Sequence, residues 1–205
     1  MTGVVERWLE ALVATPGLTA IRDFGEARRV HVDDALTALP FLGDGPVVDV
    51  GSGGGSPGIP LAAARPDLTF ELLEATGRKC TFLRRWAGEL PNVEVVCGRA
   101  EEHARAAGRD AYGTAVARAL APPPVAVEWC LPLVRPGGRF VLFTTEAAEL
   151  ERRAAEAAEH VAGRLDSAVS VLDAERRRLL VFEKTGPTPE RFPRRPGAAR
   201  KRPLA

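Results

Sequence analysis

The run Val47-Val48-Asp49-Val50-Gly51-Ser52-Gly53-Gly54-Gly55-Ser56-Pro57-Gly58-Ile59-Pro60 constrains this chain more than any other. An apolar, strand-sized stretch breaks into glycines and resumes as the start of a helix. Glycines at 51, 53 and 55 permit positive φ and remove the Cβ atoms that would block close approach of a ligand, and Pro60 suits the first turn of the following helix. Exposed N–H groups at such a turn favour a polar or anionic portion of the ligand. Asp49, Gly51, Ser52, Gly53, Gly55 and Gly58 are the candidate ligand-contacting residues of this segment.

From Pro46 onward, strand-like runs alternate with helix-like stretches, the pattern of a parallel sheet covered by helices on both faces. Strands are expected near residues 46 to 50, 69 to 74, 93 to 97, 113 to 118 and 139 to 144. The helix between the second and third of these carries Phe82, Leu83, Trp86 and Leu90 on one face and Arg78, Lys79, Arg84 and Arg85 mostly on the other. An alanine- and glutamate-rich helix follows Glu146 to about Gly163. Two further runs, Ser167 to Leu172 and Arg178 to Lys184, separated by a turn at Asp173-Ala174-Glu175-Arg176, read as a closing antiparallel hairpin. The spacing divides the chain into a helical preface over 1–43, a ligand-binding α/β domain over 44–186 and a basic, proline-rich tail over 187–205. Five prolines from Pro187 onward predict an extended tail without regular structure.

A chain of 205 residues, 45% hydrophobic and 27% charged, can bury one full α/β core, which argues against general disorder. Its apolar runs are far shorter than the ~20 residues of a membrane span. Met1 to Leu12 lacks the apolar core of a signal peptide, so residence in the cytoplasm, without membrane partners, is expected. Cys80, Cys97 and Cys130 match no metal spacing and are expected to be reduced, and no metal is anticipated. A net charge of +1 argues against a general polyanion binder. The last fifteen residues nevertheless contain Arg191, Arg194, Arg195, Arg200, Lys201 and Arg202 and no acid, so a nucleic-acid contact would be local.

Gly53-x-Gly55-x-x-Gly58 also satisfies the dinucleotide fingerprint, so the loop alone leaves a nicotinamide or flavin enzyme open. Glu74 ends the second strand, where a carboxylate can take two ribose hydroxyls in either cofactor class. Asp49 two residues before the first glycine, the pair Ala100-Glu101 after the third strand and the terminal hairpin together resemble class I methyltransferases. The resemblance implies a Rossmann-like, seven-stranded, mostly parallel sheet and S-adenosylmethionine as cofactor. It implies that Asp49 orders the loop around the methionine moiety, that Glu74 holds the ribose and that Ala100 and Glu101 meet the adenine.

The methyl acceptor leaves its own traces. The Asn/Asp-Pro-Pro-aromatic turn that serves exocyclic amines is replaced by Ala117-Arg118-Ala119-Leu120-Ala121-Pro122-Pro123-Pro124. No cysteine sits in a Pro-Cys or Thr-Cys loop of the kind that activates pyrimidine carbon-5. A ring nitrogen with a free lone pair, such as guanine N7, needs neither. The chain resembles the RsmG (GidB) family, which methylates N7 of a guanine in 16S ribosomal RNA. The matching segments include Leu18-Thr19-Ala20-Ile21, His31-Val32-Asp33-Asp34, the Asp49 to Pro60 loop, Leu72-Leu73-Glu74 with Gly77-Arg78-Lys79, Gly98-Arg99-Ala100-Glu101-Glu102, Ala117-Arg118-Ala119 and Phe192-Pro193-Arg194-Arg195-Pro196-Gly197. The resemblance implies a monomeric RNA-binding enzyme. Arg118, beside the methyl donor, is its candidate catalytic residue, contacting both cofactor and RNA, while Arg194, Arg195 and Lys201 would grip RNA phosphates. His31, a lone histidine in a helical preface, is assigned no catalytic role. The chain departs from the family in Gly17-Leu18-Thr19 and in Phe143-Thr144-Thr145, where a lysine is usual at Thr144. That departure leaves a divergent methyltransferase, acting on another RNA nucleotide or a small molecule, as the alternative.

Overall fold

A computed structural model describes residues 2–145, 148–171 and 177–205. The preface comprises α1 (Thr2–Ala14), α2 (Phe24–Arg28), a π-helical turn Arg29–Asp33 and α3 (Asp34–Leu36), followed by a 3₁₀ turn at Leu39–Phe41. The domain then runs β1 (Val47–Val50), α4 (Gly58–Ala64), β2 (Phe70–Glu74), α5 (Gly77–Ala87), β3 (Val93–Cys97), α6 (Ala100–His103), β4 (Tyr112–Arg118), α7 (Pro123–Cys130), β5 (Val134–Thr144), α8 (Ala148–His160), β6 (Gly163–Ser170) and β7 (Arg178–Lys184). A single turn, α9 (Ala198–Lys201), lies near the end.

The strands form one seven-stranded sheet in the order β3-β2-β1-β4-β5-β7-β6. β1 to β5 are parallel, and β7 pairs antiparallel with both β5 and β6. All four residues of β1 are buried because helices cover both faces of the sheet. Val48 and Val50 enter one core with Ala100, Val125 and Ala157; Val47 enters the other with Trp8, Leu12, Ile59 and Trp86. α1 places Val5, Trp8, Leu9 and Leu12 along one helical face, all buried, so the preface shares a core with β1 and β2. β5 and β6 begin earlier than periodicity suggests, at Val134 and Gly163, since each gains ladder partners across a register shift: Tyr112 for Val134 and Lys184 for Gly163. The expected hairpin turn at 173–176 and Leu172 lie outside the described residues.

Two expectations are corrected. The tail is not simply extended: it docks on the sheet's α6–α7 side, anchored by buried Phe192 and Ala199, and closes with α9. Prolines remove N–H groups that would need partners, and Arg109 supplies the carbonyls with donors, bonding Phe192 O at 2.7 Å and Thr188 O at 2.8 Å. Lys184, fully buried, is held by Asp110 Oδ1 (3.0 Å), Leu131 O (2.7 Å) and Thr188 Oγ1 (2.5 Å), tying the end of β7 to the tail. The thiols are not all reduced either: Cys80 and Cys97 form a disulfide, and Cys130 alone is free and buried. Sequence spacing hides this pair, whereas the β2–β3 register sets Cys97 opposite Glu74, beneath the first turn of α5 where Cys80 lies.

Candidate active site

The chain leaves β1 for β2 on one side of it and returns from β3 to β4 on the other, so the carboxyl ends of β1 and β4 flank a topological switch point, where open α/β sheets bind ligands. Here β1 turns sharply. Gly51 adopts φ +71°, and a Cβ there would stand 2.5 Å from Leu120 Cδ1. A Cβ on Gly58 would lie 2.4 Å from Leu72 Cδ2 and 2.7 Å from Asp49 Oδ2, so this glycine lets α4 close against β2. Ser52 and Gly55 stitch the turn: Ser52 Oγ donates to Asp49 O at 2.7 Å, and Gly55 N donates to Ser52 O at 2.7 Å. The preface grips the turn from outside, with Trp8 Nε1 donating to Gly54 O (2.8 Å) and Ser56 Oγ to His31 O (2.7 Å).

Two carboxylates face this turn. Asp49 is 1% exposed; its Oδ2 accepts from Gly58 N at 3.0 Å, while its buried Oδ1 has no partner among the described residues. Burial pushes this carboxyl up to about 7, against the opposing pull of the Gly58 N–H and of Arg118. Glu74, at the end of β2, accepts from Gly53 N (2.9 Å) and Thr76 N (2.7 Å). Each of its oxygens keeps further acceptor capacity, so two backbone bonds orient the carboxylate without exhausting it.

Gly51, Glu74, Ala100 and Glu101 line one crevice of about 290 Å³, together with Trp129 and Arg200. Glu101 is bonded already, its Oε1 accepting Gly197 N of the tail at 3.1 Å. The tail is therefore part of the crevice wall, a contribution no local motif announces.

Arg118 ends β4 and lines a second cavity, of about 420 Å³, together with His31, Asp34, Phe143, Thr144 and Arg177. Ala119 lines both cavities and marks where they meet. Arg118 donates through Nη1 to Val30 O and through Nη2 to His31 Nδ1, the latter at 2.7 Å. His31 is drawn down to about 4, first by burial and then by the Arg118 charge, so its imidazole is neutral. With Nδ1 accepting from Arg118, the proton sits on Nε2 and donates to Thr19 Oγ1 at 2.9 Å. Burial lowers Arg118 to about 10, opposed by Asp49, and it stays charged at neutral pH. His31 is thus a site residue that sequence reasoning passed over; its only sequence signal was its place in the His31-Val32-Asp33-Asp34 segment.

The three tail cations part company. Arg195 and Lys201 line a basic groove of about 790 Å³ together with Arg105, Arg191 and Arg202. Arg194 also borders it, but its guanidinium is committed inward, Nε donating to Glu128 Oε1 at 2.6 Å and Nη2 to Arg202 O at 2.7 Å. Glu128 is 1% exposed, so Arg194 serves first as counter-charge to a buried acid rather than as a phosphate ligand.

S-adenosylmethionine fits this donor set. Its ribose diol suits Glu74, its ammonium suits the unpartnered oxygen of Asp49, and the bare backbone at Gly51 leaves the room that a side chain would fill. Bound there, it supplies a methyl group made electrophilic by a sulfonium. A sheet of this order, with its glycine turn and paired carboxylates, defines a class I, S-adenosylmethionine-dependent methyltransferase. Solved structures agree on the fold: geranyl diphosphate C-methyltransferase from Streptomyces coelicolor, in complex with S-adenosyl-L-homocysteine, superposes with a TM-score of 0.59 at 15% identity, covering 86% of each chain. The family model described as rRNA small subunit methyltransferase G (GidB) matches residues 6–180. Proteins named ribosomal RNA small subunit methyltransferase G are 40% identical in Pelotomaculum thermopropionicum, over 91% of this chain and 82% of the relative, and 44% identical in Rubrobacter xylanophilus, over 85% and 72%. The chain belongs to this family.

Proposed function

We propose that this protein methylates N7 of a guanine in 16S ribosomal RNA, as a monomer in the cytoplasm. The observation that carries the reading is the junction at Ala119, which lines both the Arg118 cavity and the crevice of Gly51 and Glu74, so a base seated beside Arg118 would abut the cofactor. The names of the relatives supply the small-subunit RNA.

Guanine N7 bears a lone pair in the base plane, and S-adenosylmethionine held by Asp49 and Glu74 would supply it with a methyl group, the electron pair of the carbon–sulfur bond staying on sulfur. No proton has to depart, so the site needs no general base, and what the protein contributes is position and electrostatics. Arg118, its fork fixed by Val30 and His31, donates to guanine O6. Asp49 and Glu74 hold the cofactor against its acceptor. Arg105, Arg191, Arg195, Lys201 and Arg202 bind flanking phosphates along the basic groove. Mass mapping of 16S RNA from cells with and without the protein tests the reading. One guanine should lose its methyl group in the deletion and regain it from purified enzyme with small subunits or RNA; no restoration refutes it.

A further inference from the structure

N7 is not unique to guanine. Adenine presents the same lone pair in the same place, so an N7 methyltransferase must discriminate by the rest of the purine edge. From N7 outward, guanine offers O6, an acceptor, then N1–H and the 2-amino group, both donors; adenine offers a 6-amino donor and then N1, an acceptor. A guanine-selective site therefore needs a donor near the methyl group and an anionic acceptor beyond it.

The cavity lined by Arg118 holds both a donor and an acid. Arg118 stands next to Ala119, where the cavities join. Asp34 lies one helical turn beyond Val30, whose carbonyl fixes Arg118. Asp34 is an acid only 7% exposed on the wall of a largely apolar pocket. Arg177, at the foot of β7, pairs with its Oδ2, which aims the carboxylate while leaving acceptor capacity on the group.

We propose that Asp34 is the specificity-determining residue of this site, accepting from N1–H and the 2-amino group of the target guanine. The inference rests on the guanine-N7 reading. Adenine in the same pose would set its amino donors against the Arg118 donors and its N1 lone pair against the Asp34 carboxylate, so it is rejected by two repulsions as well as by three lost bonds. The contact also contributes to rate. As methylation proceeds the base acquires positive charge and its N1–H becomes a stronger donor, so a carboxylate there binds the transition state better than the ground state.

The test uses RNA substrates carrying guanine, inosine (which lacks the 2-amino group) or adenine at the target position, in single-turnover reactions with wild type and Asp34→Asn. Wild type should methylate guanine about tenfold or more faster than inosine and leave adenine untouched. In Asp34→Asn the guanine rate should fall to the inosine rate, and adenine should become a detectable substrate, since an amide can donate to N1. S-adenosylhomocysteine should bind both proteins equally in calorimetry, because Asp34 lies outside the cofactor crevice. A variant slowed equally on guanine and inosine, with their ratio kept, would show a structural role and overturn the proposal. Equal wild-type rates on the two bases overturn it whether or not the variant folds. Wild type that leaves N7 unmethylated on every substrate would refute the function itself, a result distinct from methylation without discrimination.

Discussion

Asp49 should make the protein less stable than it could be, and the deficit should depend on pH. Burial raises its carboxyl from 3.8 to about 7. Because the folded value lies above the unfolded one, the folded protein holds this proton more tightly. The ionisation cost is absent below pH 3.8, grows as pH rises between the two values, and is fully developed above about 7. A separation of about three pH units corresponds to about 4 kcal/mol at pH 8, of which about 2 kcal/mol remains at pH 5. Asp49→Asn mimics the protonated acid, keeps an acceptor for the Gly58 N–H, and escapes the cost. The attraction of Arg118 for the carboxylate is already included in that raised value. At about 2–4 °C per kcal/mol for a domain of this size, the variant should melt about 10 °C above wild type at pH 8 and about 5 °C above it at pH 5. Thermal unfolding of the ligand-free proteins across that range is the assay. S-adenosylhomocysteine should meanwhile bind the variant roughly tenfold or more weakly at pH 8, since its ammonium loses a charged acceptor. A melting difference that does not change with pH, or a variant less stable than wild type at pH 8, would refute the reasoning.

Other expectations follow from neighbouring contacts. Gly51→Ala forces a side chain into φ +71° and against Leu120, so it should cost about 1–2 kcal/mol of stability and abolish S-adenosylhomocysteine binding in calorimetry. Glu74→Gln presents an amide where Gly53 or Thr76 needs an acceptor, and the cofactor product should bind about 10–100-fold more weakly while the fold persists. Arg194→Ala strands the buried Glu128 carboxylate and should cost about 3 kcal/mol by denaturant unfolding. Arg195→Ala with Lys201→Ala should leave stability unchanged and reduce the slope of RNA affinity against salt by about 2; an unchanged slope would remove the groove from the RNA path.

What could be read from the chain alone was whatever local chemistry dictates. A strand that must be buried on both faces is apolar along its whole length, a backbone that must approach a ligand is glycine, and the carboxylates at the ends of β1 and β2 sit at fixed offsets from those features. The glycine turn after β1 and the carboxylates of Asp49 and Glu74 beside it were therefore marked in the chain, and five parallel strands with an antiparallel end were legible. Contacts between distant segments carry no such periodicity. Only the fold brings His31 to Arg118 across 87 positions and Gly197 to Glu101 across 96. It alone turns Arg194 inward to Glu128 and joins Cys80 to Cys97. It alone puts Asp34 on the wall of the cavity that Arg118 lines. Composition marked the tail as basic and irregular; that it packs on the domain follows from Phe192 and Ala199 finding a core, and from Arg109 and Lys184 satisfying its carbonyl and hydroxyl groups. The crevice beside Gly51 is built mostly by the β1 turn and neighbouring strand ends, with the tail as part of its wall, whereas the cavity lined by Arg118 is assembled from the preface, β4, β5 and β7, and such an assembly exists only once the chain has folded.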